Sequence, residues 1–336
     1  MVLENIVSEK MLEKHFSYAL MLGAGYSLIG MILASFIFGA NSGIVGVMFT
    51  SLLLAPSMMV LFEREEQQEE QEKHFSIKRL IINNKHVLTT YLGVFLGVFA
   101  TYFLASMILP FLGVTISTLF REQLILDPAL AGRATFNVAT FTGILANNWL
   151  VLVVTFLLAL LIGDGAVFFV AWNASAWGTI FGYRVFAASQ VSSEAILVIA
   201  LTLLAIVAWH TILEGGAYIL AAMSGAAISS AVIKQTDELH TFLGYAAALT
   251  VIYVLAYRLI SITNHSLLIL IPLLLLMLYG LSYAFTNKKH HEVFIYNYWL
   301  FVIAIAVFII GVLVETLVLT NSSNLQLIYM QATMLP

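Results

Sequence analysis

The sequence contains no cysteine, which removes several kinds of site from consideration. A chain without thiols cannot form disulfide bonds, thiolate metal sites, iron–sulfur clusters or covalent haem attachments. Charge is also scarce, because only 10% of the 336 residues are charged, and the 14 basic and 18 acidic residues give a net charge of −4. A nucleic-acid reader needs a basic face, so this composition excludes nucleic acid as a partner.

Motifs that bind nucleotides or support intramembrane catalysis are missing as well. The sequence has neither a phosphate-binding loop ending in Gly-Lys-Ser/Thr nor a Rossmann glycine set. It lacks His-Glu-x-x-His, and it lacks the Gly-x-Ser-Gly and Gly-x-Gly-Asp orders of membrane serine and aspartyl proteases. Glu65 and Glu66 could suit a glutamate-pair protease, but they lie in a hydrophilic run. We therefore expect no enzymatic activity, no catalytic residues and no cofactor.

Apolar residues, by contrast, make up 61% of the chain, with a mean hydropathy of +0.99. Soluble proteins are about half apolar and about a quarter charged. Since a membrane-spanning helix takes about 20 apolar residues, the length allows about eight or nine spans. We predict an all-α, polytopic transmembrane helix bundle in the cell membrane, surrounded by lipid, with spans near 16–38, 41–62, 87–112, 148–171, 193–209, 211–233, 240–258, 267–285 and 293–318.

Two segments of this map need separate treatment. Residues 172–190 are amphipathic and contain glycine, which predicts a re-entrant or interfacial helix, because irregular backbone at membrane depth is tolerated only where protein or water shields it. Residues 193–233 could cross the membrane once or twice. Two crossings are favoured because they place Lys288 and Lys289 on the cytoplasmic side.

The distribution of basic residues orients the chain. Segment 63–86 holds five of the 14 basic residues, so the positive-inside rule places it in the cytoplasm together with the N-terminus. Nine crossings then put the tail 319–336, which has no lysine or arginine, outside the cell. The predicted parts are a two-span hairpin at 1–62, a charged cytoplasmic arm at 63–86, and a membrane core at 87–336 with an extra hairpin near 240–285.

The cytoplasmic arm contains an acidic run between Glu63 and His74 that holds six of the 18 acidic residues. One interpretation is a solvated helical extension of the second span. The other is a docking arm for a basic partner protein in the cytoplasm. The sequence leaves both open.

Three acidic residues lie deep within predicted spans, Asp164, Glu214 and Glu315, and His210 lies where the predicted spans 193–209 and 211–233 meet. Each such residue costs about 2.5–3.5 kcal/mol on insertion scales and is therefore a candidate for function. His210 precedes Glu214 by four residues, so the two side chains share a helix face. The pair could be a buried structural contact, a proton or cation relay, or part of a metal site completed by Glu315 or Asp164.

Uncharged residues beside these acids also have two interpretations. Asn147 and Asn148 precede an apolar run and could cap a span or form a polar gate beside the re-entrant segment. Glycines flank Asp164 and follow Glu214, which suits close helix crossing or a broken helix that lines a site.

Four of these motifs, in this order, resemble the stage II sporulation protein M family, a broad bacterial and archaeal group of integral membrane proteins. The motifs are FTGILANNWLVLVVTFLLALLIGDG (141–165), NASAWGTIFG (173–182), WHTILEGGAYILAAMSG (209–225) and GVLVETLVLT (311–320). The resemblance covers about half of the chain, and the hairpin near 240–285 lies outside the common core. With the ionisable residues, it implies an intramembrane polar cluster of Asn147, Asn148, Asp164, Asn173, His210, Glu214 and Glu315.

The family resemblance implies a membrane anchor without hydrolytic activity of its own. We therefore expect a non-enzymatic scaffold that binds partner proteins at the membrane, including at the arm 63–86, and that forms a homo-oligomer. The rival function is a secondary transporter or channel that uses the buried His, Glu and Asp side chains as an ion pathway. A dry and fully paired cluster would favour the scaffold, whereas a cluster open to water would favour transport.

Overall fold

The computed structural model describes residues 15–39, 42–70, 76–124, 138–163, 166–233, 236–262, 267–284 and 291–332. These residues are almost entirely helical and include no β-strand, which confirms the all-α class. Five of their helices are long and apolar enough to cross a membrane, over Phe16–Phe38, Asn84–Leu112, Phe141–Ile162, Ile196–Ser229 and Glu292–Asn321. The chain therefore fits a multi-pass membrane protein.

The helices follow one another with short connections. Nine helices in the described residues have 18 residues or more: α1 (Phe16–Phe38), α2 (Ser42–Glu70), α3 (Ile77–Ile108), α6 (Val138–Ile162), α7 (Ala166–Val191), α8 (Ile196–Ile233), α9 (Thr236–Ile262), α10 (Leu267–Ala284) and α11 (His291–Asn321). Between α3 and α6 lie a 3-10 turn and two single-turn helices, at Leu109–Leu112, α4 (Ile116–Leu119) and α5 (Arg121–Leu124). A terminal helix, α12 (Ser323–Ala332), packs on α7.

Glycines four residues apart let α3 pack closely between α1 and α7. A Cβ atom at Gly97 would lie 2.1 Å from the carbonyl oxygen of Leu20 on α1, and one at Gly182 would lie 2.2 Å from the carbonyl oxygen of Phe103 on α3. Small residues at this spacing allow helix backbones to approach each other in membranes, where van der Waals packing drives association. These contacts hold one side of the bundle together.

Helix α8 organises the other side of the bundle and packs against α6, α7 and α11. A Cβ atom at Gly225 would lie 2.6 Å from the carbonyl oxygen of Phe156 on α6. The Ser224 hydroxyl donates to the carbonyl oxygen of Asn297 on α11 at 2.6 Å. Taken with the contacts around Glu214 below, these positions make α6 parallel and α11 antiparallel to α8.

The span predicted at 148–171 is wrong, because α6 ends at Ile162 and α7 begins at Ala166. Gly163 follows α6 with a φ of +63°, a left-handed conformation that favours glycine and commonly ends helices. The predicted re-entrant segment at 172–190 is also wrong, because these residues belong to the unbroken 26-residue helix α7; the interfacial alternative stays a prediction. Neighbouring helices bury its polar residues Ser175 and Thr179, so the helix remains regular despite its modest hydropathy.

The two spans predicted within 193–233 form a single helix, so that prediction is wrong. Helix α8 runs for 38 residues without a break, or about 57 Å at 1.5 Å per residue. The polar residues His210 and Thr211, where the break was placed, are both buried. Packing against the surrounding helices thus removes the need for a polar turn there.

Candidate functional site

The candidate site joins three helices that are far apart in sequence. The side-chain amide of Asn148 on α6 donates from Nδ2 to Oε2 of Glu214 on α8 at 3.0 Å, and to Oε2 of Glu315 on α11 at 3.1 Å. An amide nitrogen carries two hydrogens, so it can serve both carboxyl groups. We call Asn148, Glu214 and Glu315 the carboxyl cluster.

The two carboxyl groups of the cluster also lie close enough to interact electrostatically, because both accept from the same amide nitrogen. Glu214 is only 1% exposed, whereas Glu315 is half-buried. Two carboxylates cannot share such a position as anions without strong repulsion. The arrangement therefore requires a proton or another cation between them.

Asn147 determines how the amide of Asn148 is oriented. Its Nδ2 donates to Oδ1 of Asn148 at 3.1 Å, which leaves the Nδ2 of Asn148 facing the carboxyl groups. Asn147 is exposed and Asn148 half-buried. The interpretation of this pair as a helix cap is wrong, because α6 begins ten residues before Asn148, at Val138.

His210 lies one turn before Glu214 and is 6% exposed. Within the described residues, Nδ1 of His210 and Oε1 of Glu214 are both buried without a hydrogen-bond partner. The partner of Glu214 is therefore Asn148 through Oε2, and Nδ1 of His210 does not bond to it. The sequence spacing places His210 and Glu214 on one helix, and the family resemblance places Asn148 in a cluster with Glu214 and Glu315. The structure adds that the amide of Asn148 binds both carboxyl groups.

Tyr218 belongs to the site but was not singled out from the sequence. This buried residue lies one turn after Glu214 and interacts electrostatically with both carboxyl groups of the cluster. Its ring packs against Trp177 of α7, with centroids 6.0 Å apart. The four-residue spacing from Glu214 was the available signal, because it places Tyr218 on the same helix face.

Glycines bring the helices around Glu214 into close contact. A Cβ atom at Gly311, one turn before Glu315, would lie 2.7 Å from Cγ of Glu214. A Cβ atom at Gly215 would lie 2.9 Å from the Phe95 ring of α3. Since α8 continues through this region without a break, the glycines serve close helix crossing and not a broken helix.

Trp149, the residue after Asn148, connects α6 to two other helices. Its indole Nε1 donates to the Tyr253 hydroxyl on α9, and its ring packs against Phe308 on α11 with centroids 5.9 Å apart. Both Trp149 and Tyr253 are 1% exposed. The hairpin outside the family-like core is thus joined to the helix that carries Asn148.

One predicted cluster residue bonds elsewhere, and another lies outside the described residues. Asn173 donates from Nδ2 to the carbonyl oxygen of Phe169 in its own helix, at 2.8 Å. Asp164 lies outside the described residues. No group of three or more His, Cys, Asp or Glu side chains in the described part of the chain could hold a metal ion.

Comparison with known proteins identifies no relative of this chain. No protein-family model, curated protein or solved structure matches the chain. The resemblance to the stage II sporulation protein M family consequently stays a prediction that depends on the four motifs. The chemistry of the site is argued below from its own residues.

Proposed function

We propose that this chain is a multi-pass membrane protein that carries a cation across the membrane, with Glu214 and Glu315 as the binding groups. The observation that carries the proposal is the carboxyl cluster, in which one amide serves two carboxyl groups from different helices. The pair needs a positively charged species between its oxygens. A site of this kind can load and release a proton or a metal cation.

Incomplete pairing supports transport over a purely structural role. Buried polar groups in stable packing contacts are nearly always hydrogen-bonded. Here Oε1 of Glu214 and Nδ1 of His210 are buried without a partner within the described residues. In addition, Asn148 and Glu315 are half-buried and Asn147 is exposed, so the cluster is less enclosed at these residues than at Glu214.

The position of the cluster along the helices indicates which end of the bundle lies nearest to it. Asn148 lies about 15 Å from the start of α6 and Glu315 about 9 Å from the end of α11, at 1.5 Å per residue. Since α6 and α11 are antiparallel, these two helix ends lie at the same end of the bundle. With nine crossings and residues 63–86 in the cytoplasm, this end faces outside.

The test is cation flux in liposomes that contain the purified full-length chain. A pH-sensitive dye and sodium- and potassium-sensitive dyes inside the vesicles report which cation moves. Glu214→Gln keeps the size of the side chain and its ability to hydrogen-bond but removes its charge. We expect its flux to fall to that of protein-free liposomes, with an unchanged melting temperature in detergent.

Glu292→Gln is the matched control, because it makes the same chemical change in the first turn of α11, far from the cluster. We expect it to transport like the parent chain. Equal flux from the parent and from Glu214→Gln would refute the proposal. Glu214→Ala should instead lower the melting temperature, since an unsatisfied buried group costs about 1–3 kcal/mol.

The second candidate function is the partner-binding scaffold that the family resemblance implies. The observation that favours it is the length of α2, whose helical backbone continues to Glu70, well past its apolar part Ser42–Met58. This extension carries five of the six acidic residues of the run. Replacing the six acids of 63–74 by glutamine should then abolish capture of a cytoplasmic partner from native membranes, whereas Glu214→Gln should retain it.

A further inference from the structure

We infer that the ion held by the carboxyl cluster is a single proton rather than a metal cation, and that the Asn147–Asn148 amide pair enforces this choice. The inference rests on the proposed function and names its transported species. It is argued from the direction of the hydrogen bonds, the number of oxygen ligands and the unpartnered atoms beside the cluster.

The hydrogen bonds point the positive side of the amide at the carboxyl groups. Asn147 donates to Oδ1 of Asn148, and Asn148 donates through Nδ2 to both Glu214 and Glu315. A metal cation between the carboxyl groups would face these N–H hydrogens and be repelled. The only amide oxygen of Asn148 is turned away and already accepts a hydrogen bond.

The number of ligands also disfavours a metal. Calcium takes six to eight oxygen ligands, and magnesium requires a near-octahedral set. Two carboxyl groups supply four oxygens, of which two already accept from Asn148. Within the described residues, no third acidic or histidine side chain completes a metal-binding group.

One proton satisfies the same arrangement. It binds to one carboxylate oxygen, and the resulting O–H donates to the other carboxyl group, since Asn148 Nδ2 holds an oxygen of each at 3.0 and 3.1 Å. The single remaining negative charge is stabilised by the two N–H bonds of Asn148. On release the proton passes to water, and no electron transfer or bond to carbon is involved.

Oε1 is the oxygen of Glu214 that is left for the shared proton, because Oε2 accepts from Asn148. Oε1 of Glu214 and Nδ1 of His210 are buried without partners in the part of the chain that the structure describes, one helical turn apart. The titratable groups around Glu214 are Glu315 from α11 and His210 and Tyr218 from α8 itself. The other helices packed there present Asn148 from α6, Phe95 from α3, and Trp177 of α7 against Tyr218.

Infrared spectroscopy of the full chain in detergent tests the inference without any transport assay. At neutral pH we expect the carbonyl band of a protonated carboxylic acid, which shifts in deuterated buffer and is absent from both Glu214→Gln and Glu315→Gln. Sodium, potassium, magnesium and calcium chlorides should leave the band unchanged. Identical bands in the parent and both variants, or saturable loss of the band with any of these cations, would overturn the inference.

A second pair of variants tests the role of the amides. Asn148→Asp replaces the donor with a third carboxylate, and we expect calorimetry with calcium chloride to detect binding that the parent lacks. Asn147→Ala frees Oδ1 of Asn148 to turn towards the carboxyl groups, and we expect a smaller gain in calcium binding from this variant. If neither variant binds more calcium than the parent, the amides do not exclude metal and the inference fails.

The two proposals fail in different ways. A parent chain that shows the acid band but moves no cation would refute transport and leave the single proton in place. Flux driven by a sodium or potassium gradient in a chain without the band would refute the assignment of a proton and leave the proposal of transport in place.

Discussion

Asn148 is the residue on which the candidate site depends, because its single amide nitrogen serves both carboxyl groups. Its uncharged side chain gives a weak sequence signal, and an Asn pair before an apolar run also fits a helix cap. The carboxyl groups are easier to find from sequence, because burying them in a span is costly. The sequence therefore predicted the acceptors of the site more directly than their donor.

Substitution of Gly311 tests how closely α11 must approach Glu214. A Cβ atom there would lie 2.7 Å from Cγ of Glu214, so we expect Gly311→Ala to overpack the crossing, at a cost of about 1–3 kcal/mol. Thermal unfolding in detergent measures the effect.

Gly216→Ala is the control for this substitution, since no atom lies within 4 Å of a Cβ atom at that position. Replacing a glycine by alanine inside a helix should stabilise it by about 0.5–1 kcal/mol. A melting temperature that changes equally in the two variants would show that the contact at Gly311 is unimportant.

Among the elements, α7 shows why hydropathy alone misjudges a central helix. Its amphipathic pattern and its glycines favour a re-entrant or interfacial segment, yet it is one regular helix. Gly178 and Gly182 pack it against α3, and its polar residues Ser175 and Thr179 are buried by neighbouring helices. A helix shielded by protein on most sides does not need the apolar surface that lipid requires.

The attachment of α9 to α6 can be tested through one hydrogen bond. Tyr253→Phe removes the acceptor of the Trp149 indole, which is buried between the helices. Hydrogen bonds between membrane helices average about 0.6 kcal/mol and reach about 1.7 kcal/mol, and we expect a loss in this range. Unfolding by denaturant in detergent measures it.

Tyr245→Phe makes the same change on α9 at a side chain that is 51% exposed. We expect no measurable loss of stability in this control. If Tyr253→Phe is equally neutral, the indole–phenol contact does not hold α9 to the bundle.

For the whole molecule, the two errors in the predicted spans cancel. One more long helix at Ala166–Val191 and one fewer within 193–233 leave nine long helices in the described residues. Five of the nine are long and apolar enough to cross a membrane, and the predicted placement of the tail opposite residues 63–86 requires an odd number of crossings between them. The connection between α7 and α8, however, lies at the end of the bundle opposite the start of α3, and not at the same end as predicted.

Cysteine labelling tests this placement without competition, because the chain has no native cysteine. Ser193 is exposed between α7 and α8, so we expect Ser193→Cys to react with an impermeant reagent added to intact cells. Ser76→Cys, at the start of α3, should react only after the cells are opened. Labelling of both from the same side would refute the proposed direction of α7.

The sequence by itself determined the membrane class, the helical architecture and the acidic residues of the site, because each follows from local composition and from the cost of burying charge. Only the tertiary structure decided that one amide nitrogen of Asn148 joins Glu214 to Glu315. It also decided that α7 and α8 are unbroken. The physical reason is that shielding by neighbouring helices, and contacts between residues 66 and 167 positions apart, depend on which helix faces meet, and no local pattern encodes that choice.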